Sequence, residues 1–249
     1  MLQDKILIVT GASSGIGAAA ARLFAAQGAR LVIGARRAER LRALADDIGG
    51  PVVAVPGDVT DPDYPAALVA AAETQFGGLD GAFNNAGRLG AGGPVAGISD
   101  AEWQAQLDTN LTAQFRAARA QIQALLRRGG GSLVFTGTFI GQTAILPGMG
   151  GYAASKAGLI GLVQAIAVDY GPQGLRANAL LPGGTLTEMA GDAATNPQTA
   201  EFLANLHALK RIAQPEEIAR AALFLLSDQS SFVTGTAMLA DGGNSICKV

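Results

Sequence analysis

The fold is decided by residues 6–17, Ile6-Leu7-Ile8-Val9-Thr10-Gly11-Ala12-Ser13-Ser14-Gly15-Ile16-Gly17. The first four are aliphatic and mostly β-branched, which predicts a strand buried in a parallel sheet. A glycine-rich turn follows, and residues 18–27 favour a helix that Gly28 ends. This order is the context of a dinucleotide-binding loop, because glycines let the backbone approach a pyrophosphate and the helix N-terminus offers free N–H groups. The spacing is GxxxGxG rather than GxGxxG, and the candidate contacts are Gly11, Ser13, Ser14, Gly15, Ile16 and Gly17.

Strand-like and helix-like stretches alternate along the rest of the chain. Apolar runs predict six more strands, at 31–33, 52–55, 79–83, 132–135, 176–181 and 236–239. The alternation predicts an α/β fold, a Rossmann-type doubly wound parallel sheet of about seven strands with helices on both faces. No repeat or linker interrupts the pattern, so we expect residues 1–249 to form a single dinucleotide-binding and catalytic domain. Residues 186–210 mix small, polar and apolar side chains and are expected to form a movable lid.

The end of the second strand indicates which nucleotide binds. A site for NAD(H) commonly places an acid there, about 20 residues after the glycines, to hold the ribose 2′-hydroxyl. This chain has Arg36 and Arg37 instead. Guanidinium groups match phosphate oxygens bidentately, so we expect a 2′-phosphate and hence NADP(H), with NAD(H) less favoured. The alternatives are two solvated arginines at a helix start, or an acid supplied by Glu39.

Tyr152 and Lys156 form the candidate catalytic pair. Their spacing of four residues puts both side chains on one face of a helix. Tyrosine has a pKa of roughly 10 in water, and a neighbouring ammonium group favours its phenolate form. We therefore expect the pair to exchange a proton with a substrate oxygen near neutral pH. His207, the one histidine, has no Ser-His-Asp pattern around it and is expected to be structural.

The composition argues against several classes of function. The chain is 49% hydrophobic and 15% charged, and its net charge of -2 offers no long-range attraction to nucleic acid or to an anionic membrane. Cys247 is the sole cysteine, so an internal disulfide and a metal–thiolate cluster are impossible, and we expect no metal. We see no signal-peptide pattern and no apolar run of transmembrane length, and we expect a cytoplasmic protein.

Taken jointly, the motifs resemble those of the short-chain dehydrogenase/reductase family over almost the whole chain. The matching pieces are Thr10-Gly11 through Gly17, Asp58-Val59, Asn84-Asn85-Ala86-Gly87, Asn110, Tyr152 with Lys156, Pro182-Gly183 with Thr187, and Asp241-Gly242-Gly243. The resemblance implies a nicotinamide cofactor and a homotetramer or homodimer built on the helix after Tyr152. That helix is apolar on nearly every side, and Gly158 and Gly161 are expected to let a second subunit approach closely.

The resemblance also implies roles for single residues. Tyr152 would be the general acid in reduction and the general base in oxidation, while Lys156 would lower its pKa and hold the nicotinamide ribose. Asn110 would anchor a water in a proton relay. The remaining cofactor contacts would be Asp58 and Val59 near the adenine, Asn85, Ala86 and Gly87 along the adenosine side, and Pro182, Gly183, Thr185 and Thr187 near the nicotinamide or a phosphate. Asp58 could equally cap a turn.

One position departs from the family pattern. A serine commonly follows the fifth strand and hydrogen-bonds the substrate oxygen, but this chain has Thr138 there, with Thr136 as the other candidate. Threonine keeps the hydroxyl and adds a methyl group. We therefore expect an NADP(H)-dependent enzyme that interconverts a small, apolar ketone and a secondary alcohol. The alternatives are a 3-oxoacyl-[acyl-carrier-protein] reductase and a catalytically impaired scaffold that only binds the cofactor.

Overall fold

A single parallel sheet of seven strands forms the centre of the molecule. The structure is a computed structural model, and it describes residues 1–194 and 196–247. The strand order is β3-β2-β1-β4-β5-β6-β7, which confirms the doubly wound arrangement expected from the sequence. The strands are β1 (Ile6–Thr10), β2 (Arg30–Ala35), β3 (Val52–Pro56), β4 (Gly81–Asn84), β5 (Gly131–Thr136), β6 (Leu175–Pro182) and β7 (Ala237–Ala240).

Helices cover both faces of the sheet, as predicted. They are α1 (Gly15–Ala26), α2 (Ala38–Ile48), α3 (Tyr64–Phe76), α4 (Asp100–Leu107), α5 (Ala113–Arg127), α6 (Gly150–Tyr170), α7 (Pro197–Asn205) and α8 (Pro215–Leu226). Leu7 and Val9 of β1 belong to a core formed with α1, α2 and α8. Ile6 and Ile8 belong to the core on the other face, with α3, α5 and α6. Because side chains alternate across a strand, a strand that is apolar at every position has to be buried on both sides.

The strand order opens a crevice at one edge of the sheet. β1 is hydrogen-bonded to β2 on one side and to β4 on the other. The connections leaving β1 and β4 therefore run in opposite directions, which separates the loops at the carboxyl ends of these two strands. Thr10 and Asn84 are the last residues of these strands, and Gly11 and Asn85 come directly after them. The fold therefore brings two of the predicted motifs to the same crevice.

The segment between α4 and α5 differs from a regular helix. The chain stays helical, but residues Asp108–Thr112 form a π-helical turn that inserts extra backbone between the two α-helices. Such turns frequently occur at functional sites because they redirect a side chain. Here the turn carries Asn110, whose side chain is fully buried.

Helix α6 is long and apolar, and it forms part of the domain core. Residues Gly150–Gln173 are long and apolar enough to cross a membrane by length and composition alone. A buried helix of a folded domain passes the same test, and Leu159, Val163 and Ile166 of α6 lie in the core. Elsewhere on α6, Val168 is 77% exposed in the single chain, so the expected cover of this helix by a second subunit stays a prediction.

The two glycines of α6 have different surroundings. A Cβ on Gly158 would lie 2.8 Å from the Leu111 side chain, so the same chain already fills that space. The expectation that Gly158 admits a second subunit is therefore wrong. For Gly161, no described atom lies within 4 Å of the corresponding position, which leaves that part of the helix surface open.

The predicted lid contains two short helical segments. A 3-10 helix spans Glu188–Ala194 and is followed by α7, while Thr195 between them lies outside the described residues. His207 is 2% exposed and connects this segment to the loop after β6. Its Nε2 accepts a hydrogen bond from the Gly184 N–H at 3.0 Å, which leaves Nδ1–H to donate to Leu203 O at 2.7 Å. Both ring nitrogens are thus used in attaching α7.

Candidate active site

The turn between β1 and α1 has the shape of an anion site. Gly11 and Gly15 have φ values of +69° and +53°, in the region that favours glycine. A Cβ on Gly17 would lie 2.3 Å from the Gly11 carbonyl oxygen, so only glycine fits at that contact. Ser14 precedes α1, and among the described residues no side chain caps this helix. The first N–H groups of α1 are therefore available to a ligand, and the turn fits the pyrophosphate of a dinucleotide.

Replacing Gly17 with alanine is expected to lower the free energy of unfolding by about 1–3 kcal/mol, because the methyl group forces the turn apart. Urea unfolding at neutral pH measures the change. The matched control is Gly171→Ala at the end of α6, where φ is -54° and no described atom lies within 4 Å of the added Cβ. Equal effects of the two substitutions would contradict the role of the Gly17–Gly11 contact.

Arg37 is fixed against the glycine-rich turn. Its Nε and Nη2 each lie 3.1 Å from Ser13 Oγ, and Nη2 also donates to Ser14 Oγ at 2.6 Å. Its Nη1 donates to Glu188 Oε2 at 2.7 Å. The Arg37 guanidinium therefore lies between the turn and the start of the lid, where a phosphate on the adenosine ribose is expected.

Arg36 extends to a different place from Arg37. Arg36 is exposed. The pKa of Asp58 is lowered mainly by the hydrogen bond from the Thr60 N–H, and the charge of Arg36 lowers it further. Asp58 Oδ1 accepts bonds from Thr60 N and Thr60 Oγ1, both at 2.9 Å, so this aspartate caps a turn as the second reading of the sequence suggests. Its contact with an adenine stays a prediction.

Glu39, the other acid considered for the ribose hydroxyl, has a partner of its own. Its carboxylate forms an ion pair with Arg42 one turn along α2, and its side chain is 87% exposed. The i, i+3 pair engages the Glu39 carboxylate on the surface of α2.

The predicted catalytic residues converge at the other end of the crevice. Lys156 is 4% exposed and its Nζ donates to the Thr136 carbonyl oxygen at 2.6 Å. A Cβ on Gly87 would lie 3.1 Å from Lys156 Nζ and 3.2 Å from Asn110 Oδ1. Gly87 therefore lies among the predicted catalytic groups, and the missing side chain leaves space beside the ammonium group.

The expected effect of Lys156 on Tyr152 is not found in the structure. Burial raises the pKa of the Tyr152 phenol to about 12, and Thr138 is the group that acts to lower it. Burial also lowers the pKa of Lys156 to about 8. The prediction that the ammonium group makes the phenol unusually acidic is thus wrong here, because loss of solvation outweighs any charge effect and Lys156 is directed to a carbonyl oxygen.

The choice between Thr138 and Thr136 has a geometric answer. Thr138 is 7% exposed and lies close enough to Tyr152 to affect the phenol. Thr136 donates its hydroxyl proton to Asn85 Oδ1 at 3.0 Å. The Thr136 hydroxyl is therefore engaged elsewhere, and Thr138 is the hydroxyl beside the candidate acid.

Asn110 joins the loop after β4 to α6. Its Oδ1 accepts from Arg88 N at 2.9 Å, and its Nδ2 donates to Arg88 O at 2.9 Å and to Ser155 Oγ at 3.1 Å. Both amide protons are used, so the side chain can bind a further water only through the second lone pair of Oδ1. Ser155 was not predicted; its position within the Tyr-x-x-x-Lys stretch was the available signal.

The loops after β1, β4 and β6 bring the other predicted cofactor contacts together. Thr10 Oγ1 accepts from the N–H groups of Asn85 and Ala86, at 3.1 and 3.2 Å. A Cβ on Gly15 would lie 2.9 Å from Thr187, which puts Thr187 at the start of α1. Thr185 is buried and donates to Gly183 O at 3.1 Å, so it shapes the loop. Three further predicted residues have mainly packing contacts: Ile16 and Val59 at the edges of the two cores and Pro182 paired with Ala240 in the sheet.

A cavity of about 410 Å³ separates the start of α1 from the start of the lid. Its lining includes Ser14 and Gly15 on one side and Leu186, Thr187 and Glu188 on the other. Tyr152 and Lys156 do not line it. Glu188 was missed by the sequence interpretation, although an acid directly after Thr187 was visible in the motif.

Comparisons with known proteins agree on one group of enzymes. Residues 11–245 match a family model described as enoyl-(acyl carrier protein) reductase. The chain is 40% identical to an A-factor type gamma-butyrolactone 1′-reductase (1S-forming) of Streptomyces virginiae, over 99% of this chain and 97% of the relative. It is also 40% identical to a 2,5-dichloro-2,5-cyclohexadiene-1,4-diol dehydrogenase of Sphingobium indicum, over 97% of each chain.

A similar solved structure supports the same grouping. The crystal structure of levodione reductase has a TM-score of 0.94 with this chain at 32% sequence identity, and the match covers 100% of both chains. A match of this length includes the sheet, the helices and every loop of the crevice described above.

Proposed function

The chain belongs to the short-chain dehydrogenase/reductase family of oxidoreductases, and from that premise we propose that it interconverts a ketone and a secondary alcohol with NADP(H). Tyr152 is the general acid in reduction and the general base in oxidation. The observation that carries the proposal is the pairing of the Thr138 hydroxyl with the Tyr152 phenol on the same helix as Lys156, which lies beside the gap left by Gly87. The nicotinamide, when bound, supplies or accepts the hydride.

Tyr152 is suited to the reductive direction. A phenol with a pKa of about 12 carries its proton at neutral pH. An alkoxide is a much stronger base than a phenolate, so the phenol readily gives its proton to a carbonyl oxygen that is gaining negative charge. The Thr138 hydroxyl beside it orients the same oxygen. We therefore propose that Tyr152 donates this proton when the reaction runs in the direction of carbonyl reduction.

Lys156 and Asn110 are proposed to position the groups around the Tyr152 phenol. The Lys156 ammonium has three donors, one of which binds Thr136 O, so the others are available to a ribose hydroxyl. Asn110 fixes the loop after β4 against α6 and keeps its second Oδ1 lone pair for a water in a proton path. Both groups position the reaction without touching the carbon that changes its oxidation state.

The substrate is proposed to be small and largely apolar. Phe139, Ile140 and Ala153 form an apolar cluster, and Tyr152 and Met149 pack against it. The two curated relatives are named for a gamma-butyrolactone and a cyclohexadiene diol. A compound with its carbonyl on or beside an aliphatic ring fits both the cluster and these names.

Steady-state oxidation of NADPH in the presence of cyclic ketones tests the proposed function. The panel includes a 3-oxoacyl thioester to test the second function, since the family model is described as enoyl-(acyl carrier protein) reductase and thioesters therefore belong in the panel. Turnover of the thioester alone would favour the 3-oxoacyl-[acyl-carrier-protein] reductase. Binding of NADPH without turnover of any carbonyl would favour the impaired scaffold.

The cofactor preference is expected to depend on Arg37. We expect the wild-type protein to prefer NADPH to NADH, and Arg37→Ala to lower kcat/KM for NADPH by roughly tenfold or more, because a charge-assisted bond to phosphate is lost. NADH should be used with nearly unchanged efficiency. Arg36→Ala tests the second arginine, and Arg42→Ala on the outer surface of α2 is the control. An unchanged nucleotide preference in both Arg36→Ala and Arg37→Ala would contradict the NADP(H) assignment.

The exposed side of α6 is proposed to join subunits in a homodimer or homotetramer. Val168 is 77% exposed, Phe115 on α5 is 46% exposed, and Gly161 leaves room for a neighbouring helix. Burying such apolar area drives association. Sedimentation equilibrium measures the assembly, and we expect the mass of two or four chains; the mass of one chain at micromolar concentration would contradict the proposal.

A further inference from the structure

Glu188 is ion-paired with Arg37, the arginine that is proposed to bind a ribose phosphate. Its two carboxylate oxygens form separate ion pairs, one with Arg37 and one with Arg40. The pairs span from the first residue of the lid's 3-10 helix to the start of α2. Both arginines lower the pKa of the Glu188 carboxyl, Arg37 first, so the carboxylate form is favoured.

Arg37 has no nitrogen left without a partner. Nε and Nη2 face Ser13 Oγ and Ser14 Oγ, and Nη1 holds Glu188. Nη1 carries a second N–H, so a phosphate reaches this guanidinium either beside Glu188 or by replacing one of these groups. The serines belong to the turn itself, whereas Glu188 is a negatively charged group on a separate segment. A phosphate bound beside Glu188 would lie close to a second negative charge, and like charges at that distance repel, so each anion weakens the binding of the other.

We propose that Glu188 is a specificity-determining residue that competes with the 2′-phosphate, so that a phosphorylated ribose and Glu188 weaken one another's binding at Arg37. This inference rests on the proposed function, in which the arginines receive NADP(H). Glu188 then weakens the binding of NADP(H) and leaves NAD(H) almost unaffected. Glu188 therefore reduces the preference for NADP(H) over NAD(H) that the arginines alone would produce. The phosphate binds most tightly to the fraction of molecules in which Glu188 has released Arg37.

The lid stays attached when Glu188 leaves the arginines. Leu186 N donates to Ala213 O, and Ala213 N donates to Gly184 O, each at 2.8 Å. His207 fastens the other end of the segment to Gly184. Glu188 itself is half exposed, so a neutral side chain is tolerated there and Glu188→Gln is expected to fold normally.

Nucleotide binding to the full chain tests the proposal without using turnover. Isothermal titration gives dissociation constants for NADP⁺, NAD⁺, adenosine 2′,5′-bisphosphate and adenosine 5′-monophosphate, for the wild-type protein and for Glu188→Gln. We expect Glu188→Gln to bind NADP⁺ and the bisphosphate roughly fivefold more tightly, the effect of removing two exposed ion pairs, with NAD⁺ and the monophosphate unchanged. Glu73→Gln, which breaks the exposed ion pair between Glu73 of α3 and Arg127 of α5, is the matched control and should change none of the four constants.

Three results would overturn the inference. If the wild-type protein binds NADP⁺ and Glu188→Gln binds it equally or less tightly, Glu188 does not compete with the phosphate, and the proposed function stands. If Glu188→Gln loses affinity for NAD⁺ instead, Glu188 is a ligand of the ribose hydroxyl. If the wild-type protein binds neither dinucleotide, the proposed function fails and the inference fails with it.

Discussion

The variant Tyr152→Phe is expected to lose about 10³-fold in kcat for ketone reduction, because it removes the proton that the developing alkoxide receives. The phenyl ring of the variant still fills the space beside Thr138 and the apolar cluster, so the fold and the cofactor site should be unchanged. NADPH oxidation with the best ketone of the panel measures the loss. Titration with NADP⁺ should show a dissociation constant within about twofold of the wild-type value.

Tyr170→Phe is the matched control for this experiment. Tyr170 is the last residue of the same helix, α6, and the substitution removes a phenol hydroxyl about 27 Å further along the helix axis. We expect wild-type activity from this variant. Full activity of Tyr152→Phe, or an equal loss in both variants, would show that Tyr152 is not the proton donor.

Removing the charge of Lys156 is expected to change how stability depends on pH. The pKa of Lys156 is about 8 in the folded chain and 10.5 is its ordinary value, so between these values the unfolded chain binds a proton that the folded chain has released. The contribution of Lys156 to the free energy of unfolding therefore rises with pH across that window. Below pH 8 the folded chain carries the whole cost of burying the charge. Lys156→Met keeps an unbranched side chain of similar length and removes the group that titrates.

The measurement is the free energy of unfolding in urea for both proteins at pH 7 and about pH 9.5. The wild-type value minus the Lys156→Met value should increase by on the order of 2 kcal/mol over this interval. The upper limit stays below pH 10 because Tyr152 titrates differently in the folded and unfolded chains at higher pH. Lys5→Met, the same change at a lysine whose side chain is 38% exposed, is the control. Parallel pH profiles for the wild-type protein and Lys156→Met would contradict the prediction.

Most of the fold could be predicted from local patterns. Ile6–Val9 is apolar at consecutive positions, and such a strand has to lie inside a parallel sheet, where the structure finds it. The α8 bounds, Pro215–Leu226, also agree with the sequence, because proline favours the first turn of a helix and the following residues repeat at helical spacing. The π-helical turn at Asp108–Thr112 was missed, since an inserted residue in a helix leaves no periodic signal.

The candidate site was only partly predictable. The glycine-rich turn and the Tyr152–Lys156 spacing follow from backbone geometry, and the structure places both at the crevice. The electrostatic expectation for Tyr152 was wrong because a pKa depends on burial from all directions, and no four-residue spacing reports burial. The choice of Thr138 over Thr136 depended on Asn85, which is 51 residues away from Thr136.

The parallel sheet and the positions of its motifs could thus be read from the chain alone, because they depend on short-range rules of strand, turn and helix, and the resemblance of those motifs to a known family indicated the family. The contact of Arg37 with Ser13, Ser14 and Glu188 could not, because it joins segments up to 151 residues apart. Such long-range pairs depend on how the crevice closes around charged groups. In this chain these contacts arrange the expected nucleotide site, and they place Glu188 beside Arg37.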